Sequence, residues 1–545
     1  MPAEAAPFAP VAALPAPRGI STTTLTATPA PASAPSVSAP APSSNRATNR
    51  ASHRASALAR LAVPVLPALL ALALGLWGIR RENSLWRDEA VTWQVGQRPV
   101  AEIWDMLGQV DVVHGLYYVL MHGVFELFGT GPAVLRMPSV LAVVAAAAAT
   151  ASAGRRLAGP WAGLAAGLVL ALIPNVQHYA QEGRAYALVT AGVAVATWLL
   201  VSAAGTPENG AATVSRRRRT RWAGWAGWAG YGVVMLTTAL LNWFSLFVLP
   251  AHAVTVLVAR RRGARPLLAP WSVSAAVVLA GALPLIQASR AQSDQVSWIK
   301  PVAVSTVLGI GVLLLVALVC ARAPYPGRGR APLSPASVGL PLLAVPQAGL
   351  LLASVLVEPV YLDRYVLYTN LGFALLLGVG VAAAVQALPV RTWVLLAGVT
   401  ATAFVALLPV ETGLREPSSR ADDVLRAADR VAAAARTGDG VLFIPAARRD
   451  TALVTPSAFT GLDDLALAES PAASGTIKGV EGSAEHIRTA MLTKSRIVVV
   501  TDTRRAAPPA PVRETEKLRV LGRHFERTGR TDTVGRRIEV YEKVR

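Results

Sequence analysis

The chain has 545 residues, of which 53% are hydrophobic and only 15% charged, with a formal net charge of +20. That apolar share excludes an ordinary soluble globular protein, and the lone Cys320 excludes an internal disulfide or a zinc site of cysteine type. The basic balance would suit nucleic acid, but no nucleic-acid motif accompanies it and its placement has another explanation.

Residues 1–56 are rich in Ala, Pro, Ser and Thr and poor in large apolar side chains, a composition that cannot bury a core and predicts a disordered tail. The tail is too long and polar for an ordinary signal peptide, so Leu58–Gly78 reads as an uncleaved first span. Apolar runs follow at 57–79, 133–153, 158–175, 185–204, 222–241, 243–259, 266–287, 302–321, 335–357, 366–386 and 392–410. Each is near the length of about 20 residues that a helix needs to cross a bilayer. The predicted fold class is an all-α polytopic membrane protein of about 11 transmembrane helices, occupying 57–410. A further apolar stretch, Leu116–Phe128, is short and carries His122 and Glu126, which assigns it to the membrane surface.

Loop charge orients these spans. With the N-terminus inside, the inner segments hold 19 Lys and Arg against 2 acids, and the outer loops before residue 410 hold 8 against 11. Lys and Arg accumulate on the cytoplasmic side, and anionic headgroups reward them there. "SRRRRTR" (215–221) and "RRRGAR" (260–265) are the strongest anchors, and the tryptophans of "WAGWAGWAG" (222–230) fit an interfacial belt. Eleven spans place the C-terminus outside. Residues 411–545 lack a span and read as a small extracytoplasmic α/β domain. A helix over 421–440 ends at Gly438, "VLFIP" and "SRIVVVTD" (495–502) are buried strands, and "RRIEVYEKV" (536–544) alternates like an edge strand. The expected location is a plasma membrane, and the high Ala, Arg and Pro content suggests a bacterial one.

This topology gathers polar residues on the outer face. "SLWRDEAVTW" (84–93) sets Asp88 and Glu89 beside the first span, in a loop that also holds Asp111, His114, Tyr117 and Tyr118. "NVQHYAQEGRAYAL" (175–188) adds His178, Glu182, Arg184 and Tyr186; Asn242 and Trp243 tip the next hairpin. "SRAQSDQVSWIK" (289–300) and "EPVYLDRYVLY" (358–368) bring Asp294, Trp298, Asp363, Arg364 and Tyr365. Carboxylates at a membrane boundary are costly, which makes them candidates for function. Solvated helix ends, local ion pairs and headgroup contacts are the competing structural readings.

Residues 57–390 resemble the GT-C superfamily of membrane glycosyltransferases, in its family 39-like branch of polyprenyl-phosphate-sugar-dependent, mannosyltransferase-like enzymes. The matching stretches are "SLWRDEAVTW", "HGLYYVLMHGVFELFG" with "LRMPS", "YAQEGRAYAL" about 95 residues beyond the acids, and "YLDRYVLYTNLGFALLLG". The branch carries His-Pro-Pro-Leu where this chain has His114-Gly115-Leu116. The resemblance implies an inverting transfer of a hexose from a lipid-phosphate donor to an acceptor hydroxyl. It implies Asp88 as the base, Glu89 or Glu182 as orienting acids, and His114, Tyr117, Tyr186 and Tyr365 near acceptor or sugar. Arg184 and Arg364 are candidates for the donor phosphate, which arginine binds well through paired contacts. The implied partners are membrane lipids, the polyprenyl-phosphate sugar and an envelope glycan, lipid or protein acceptor, without nucleic acid. Asp88, Glu89 and Glu182 could also form a hard-oxygen site for Mg or Mn. The lack of a repeated Asp-x-Asp argues against an obligatory metal, and no other cofactor is expected. The alternative is a transporter or flippase of lipid-linked saccharides, which would place its ionisable groups near mid-membrane.

Overall fold

The computed structural model describes residues 61–204, 214–263, 267–292, 299–329, 331–504 and 511–544, with only the backbone for 214–224. The expected N-terminal tail and the candidates Asp294 and Trp298 lie outside the described residues. The described residues form one compact unit.

Helix α1 (Leu61–Asn83) leads to two short helices, α2 (Arg87–Gly96) and α3 (Val100–Gln109), and then to α4 (Gly115–Phe128). The bundle continues with α5 (Pro132–Ala158), α6 (Pro160–Leu172), α7 (Pro174–Ala180), α8 (Tyr186–Ala203) and α9 (Val214–Leu241). It is completed by α10 (Val248–Arg261), α11 (Leu268–Ala291), α12 (Val304–Ala321), α13 (Pro335–Leu356), α14 (Asn370–Gln386) and α15 (Thr392–Gly413). Among the described residues nine helical segments are long and apolar enough to cross a membrane, or ten if α6 and α7 count as one bent span. The chain is a multi-pass membrane protein. Each of the eleven predicted runs coincides with helix among the described residues, but α9 shows only Trp225–Leu241 as described apolar helix, shorter than a span. The run 158–175 also differs from expectation. Pro174 cannot donate a hydrogen bond, and the chain bends by 63° between α6 and α7. α4 has 14 residues, too few to span.

Small residues let the central helices touch backbone to backbone. A side chain on Gly163 of α6 would strike Arg155 of α5, and one on Gly378 of α14 would strike Ala166 of α6. Close approach of this kind replaces the hydrophobic drive that lipid does not supply.

The C-terminal region opens with α16 (Val424–Ala434), β1 (Gly440–Ile444), α17 (Asp450–Val454), β2 (Asp463–Asp464), β3 (Leu467–Glu469), α18 (Pro471–Ser474) and β4 (Val480–Glu481). It closes with α19 (Ala484–Leu492), β5 (Arg496–Asp502), α20 (Val512–His524), β6 (Phe525–Asp532) and β7 (Arg536–Lys543). The main sheet has the order β2-β1-β5-β7-β6, with β2-β1-β5 parallel and β7 antiparallel to both neighbours. One face packs Leu442, Ile497 and Val499 against Ile487 and Leu521 of α19 and α20. The other packs Val441, Phe443 and Val498 against Ala427 and Val431 of α16. This three-layer sandwich contains the predicted strands, with one correction. β7 is internal, because β6, whose sequence "FERTGRTD" shows no apolar alternation, covers it as the true edge. Helix α16 also stops at Ala434, before Gly438.

Candidate active site

The site begins where α1 ends. Gly78, Arg81, Glu82 and Asn83 have φ of +68°, +45°, +51° and +59°. Left-handed backbone costs a non-glycine residue about 1–2 kcal/mol, so this turn needs outside support. Arg136 of α5 supplies it, donating to Ile79 O and Ser84 O, each at 2.7 Å. Arg81 donates to Gln181 O, while Arg415 donates to Trp77 O at 2.9 Å and lies over the Trp77 ring. The turn delivers α2 with its two acids side by side in the first turn.

The two acids meet different surroundings. Glu89 is fully buried. Its two oxygens accept Arg136 Nε and Nη2, both at 2.7 Å, and Oε1 also accepts Gly183 N–H at 3.0 Å. Arg81 Nη1 lies 3.5 Å from Oε2. Burial alone would raise the carboxyl pKa, but the charge and hydrogen bonds of Arg136, with Arg81 and Arg420, lower it to about 2. Asp88 keeps a quarter of its side chain exposed and pairs with Arg364 Nη1 at 3.1 Å.

Glu182 stands close by, in the turn between α7 and α8. It is 1% exposed, and neither carboxylate oxygen has a hydrogen bond among the described residues. Among the described residues, His178 Nε2 at 3.6 Å and Arg420 Nε at 3.8 Å are its ion-pair partners. Burial, with Glu89 and Asp88 adding to it and Arg420 and Arg364 opposing it, raises its pKa to about 7. Arg420, absent from the predicted set, is anchored on His178, donating to its carbonyl and to Nδ1 at 2.9 Å each.

A third group contains His114. Its Nε2 accepts Arg184 Nη2 at 3.0 Å, so the ring proton sits on Nδ1 and donates to Asp111 Oδ1 at 2.7 Å. Tyr118 donates to the other Asp111 oxygen. Burial and the facing Arg184 hold His114 below its ordinary pKa. Aromatic rings line the space between these groups. Arg364 lies 5.6 Å from the Tyr186 centroid and 5.8 Å from that of Tyr365, and Tyr365 stacks on Phe244 at 5.0 Å. Tyr179 donates to Asp363 at 3.2 Å. Tyr117, by contrast, is fully buried in the core.

A cavity of about 520 Å³ adjoins this cluster through His114, Phe244 and Tyr365, and the cluster's acids and Arg364 do not line it. Asn242, Trp243, Arg290 and Glu358 also line it. Most of the remaining wall is apolar, from Leu241, Ile286 and Val360 among others.

Among the described residues no group of three His, Cys, Asp or Glu side chains is placed to hold a metal ion. Glu89, one of the three expected oxygen donors, has its lone pairs committed to Arg136 and Gly183. Four cationic residues that frame the site are not among the sequence candidates: Arg81, Arg136, Arg415 and Arg420. Arg136 had a legible signal, because a charge inside the apolar run 133–153 has to find a partner.

Fold and site together define a polytopic membrane protein with a charged, aromatic-lined cleft at one end of its helices and a sandwich docked there. No family model and no curated protein matches the sequence. Among solved structures, the chain is similar in fold to ArnT from Cupriavidus metallidurans. The match to its apo state has a TM-score of 0.57 and 14% identity over 88% of this chain and 97% of that one. The match to its complex with undecaprenyl phosphate has a TM-score of 0.54 and 13% identity, with the same coverage. At this level of identity the likeness is one of fold. A weaker likeness, with a TM-score of 0.43 and 12% identity over 81% of this chain and 69% of the other, is to the oligosaccharyltransferase AglB from Archaeoglobus fulgidus.

Proposed function

We propose that this protein is an integral membrane glycosyltransferase that moves a hexose, of mannose type, from a polyprenyl-phosphate donor to an acceptor hydroxyl at the outer face of a cell membrane. The observation that carries the reading is the position of Asp88. It is a partly exposed carboxylate in the first turn of the helix that follows α1, paired to an arginine that phosphate can claim. The ArnT complex with undecaprenyl phosphate supports a lipid-phosphate ligand for this architecture.

The cavity of about 520 Å³ is within the usual range for a small-molecule site, and its apolar wall suits the first isoprene units. The donor phosphate takes Arg364, with Arg184 as its second contact. Arg364 thereby leaves Asp88, whose Oδ2 accepts the proton of the acceptor hydroxyl. The acceptor oxygen forms its bond to the anomeric carbon as the bond from that carbon to the phosphate oxygen breaks. The polyprenyl phosphate leaves with the electron pair, stabilised by the two guanidinium groups. Single displacement inverts the anomeric centre. His114, Tyr186 and Tyr365 border the sugar. Glu182, with a pKa of about 7, orients the acceptor or donor. Glu89 and Tyr117 hold the frame and touch neither substrate.

The test is transfer from radiolabelled polyprenyl-phosphate sugars to a crude envelope acceptor fraction by purified protein. Labelled product that depends on the protein supports the reading. Movement of intact lipid-linked sugar across vesicles without transfer would replace it with the transporter.

A further inference from the structure

Helix α2 has no cap of its own. Trp86 occupies the position before its first turn and offers no side-chain acceptor to the free backbone N–H groups. The acceptor comes from 335 residues away, where Asp422 Oδ1 takes the Arg87 N–H at 2.9 Å. Asp422 Oδ2 lies 3.2 Å from Arg87 Nε and accepts Arg536 Nε and Nη2 at 3.1 and 3.0 Å. Arg536, the first residue of β7, also pairs with both oxygens of Asp450 at 2.7 and 2.9 Å and donates to Thr451 Oγ1 at 2.7 Å. Asp422, Asp450 and Arg536 all have fully buried side chains. The backbone adds a further tie, Val424 N–H donating to Leu85 O at 2.7 Å.

The local chain is shaped to make this contact. Gly535 has φ of +68°, and a side chain there would run into Ala421 O and the Asp422 side chain. Asp423 N–H donates to Val534 O at 3.0 Å, which fixes the segment before α16 against the turn before β7. On the other side of the same helix, Arg98 donates to Thr476 O and Ile477 O at 3.0 Å each. The sandwich therefore grips α2 at its first turn and just beyond its last.

We infer that Asp422 is a positioning residue for the transfer reaction, and that the C-terminal sandwich, through the Asp450–Arg536–Asp422 chain, sets the register of the helix turn that carries Asp88. The inference rests on the reading of Asp88 as the base. Arg87, whose amide Asp422 caps, is the residue immediately before Asp88, so a rotation of that turn moves the carboxylate directly. An error of about 1 Å at a reacting group costs on the order of 10²-fold in rate. The negative side chain at the helix N-terminus also matches the positive end of the helix dipole.

The experiment uses the full-length purified protein with Asp422→Ala, Asp422→Asn and Gly535→Ala. Steady-state transfer and amide hydrogen exchange across α2 are measured side by side. Asp422→Ala is expected to lower kcat by on the order of 10²-fold while the donor KM stays within about threefold. Exchange at the first turn of α2 should speed up by about fivefold or more, with the amides of α5 and α14 unchanged. Asp422→Asn keeps a carbonyl oxygen for the Arg87 amide but turns its NH2 toward the donors of Arg536, so it should recover kcat only in part, and Gly535→Ala, which leaves the carboxylate but displaces it, should resemble Asp422→Ala. Wild-type kcat in Asp422→Ala, or a fall in kcat with unaltered exchange in α2, overturns the inference. Asp88→Asn in the same assay separates the two readings. If it retains wild-type turnover, Asp88 is not the base, while faster exchange in Asp422→Ala still reports the grip of the sandwich on α2.

Discussion

Behind the first turn of α2, Arg536 uses all three of its guanidinium nitrogens on Asp422, Asp450 and Thr451. In front of the same turn, Glu182 is equally buried and neither of its oxygens receives a hydrogen bond among the described residues. The contrast separates two uses of buried charge. A structural cluster saturates its donors and acceptors, because an unmet buried polar group costs about 1–3 kcal/mol and a charged one more. A group left short of partners keeps capacity for a ligand. Glu89 belongs with the first kind and Asp88 and Glu182 with the second, although Asp88 and Glu89 are neighbours in sequence.

The strongest way to break this division is to unbalance the saturated side. Arg136→Ala leaves Glu89 buried without its main partner and removes the support of the left-handed turn. Loss of one member of a buried pair costs about 3–5 kcal/mol, so the variant should unfold at clearly lower temperature in detergent. Thermal unfolding near wild type would show that Glu89 is not held by Arg136 alone.

A smaller effect, with a definite sign in pH, is expected at Glu182. Its folded pKa of about 7 lies above the ordinary 4.5, so the fold favours the neutral carboxyl. That stability is fully present below about pH 4.5 and is lost as pH rises through about 7. Glu182→Gln should therefore gain on the wild type in unfolding temperature from pH 5 to pH 8, by up to about 3 kcal/mol in stability. Glu89 has the opposite dependence: its pKa of about 2 gives stability above about pH 4.5 that fades as pH falls toward 2. A pH-independent difference between wild type and Glu182→Gln would remove Glu182 from the second kind.

The smallest effect is expected at Arg364. Its loss removes a charge-assisted contact of about 1.5–3 kcal/mol, or roughly ten- to a hundredfold in donor affinity. Acceptor affinity should change much less. Equal losses for both substrates, or none for the donor, would return Arg364 to a simple pairing role with Asp88.

The division was only half legible in the sequence. The apolar runs and the acids beside them follow from composition and local spacing, and they led to the helices and to α2. What distinguishes Asp88 from Glu89 does not lie nearby. It depends on Arg136, 47 residues on, and on Gly183, 94 residues from Glu89, brought together by packing of α5 against α8. Arg420 was hidden for a similar reason, since its partner His178 is 242 residues away. The bend at Pro174 was missed because apolar periodicity continues through it, and β6 because an exposed edge strand needs no apolar face. The cap on α2 was out of reach altogether, because Asp422 lies 335 residues from the helix it completes.

The most direct measurement is turnover of Asp88→Asn at saturating donor, with donor binding and thermal unfolding followed on the same preparation. Asn keeps the size and polarity of Asp but takes up no proton at working pH, and loss of a general base costs about 10²–10⁴ in rate. The expected result is transfer reduced by that factor with folding and donor binding largely intact. Turnover within a few-fold of wild type would contradict the account and move the search for the base to Glu182.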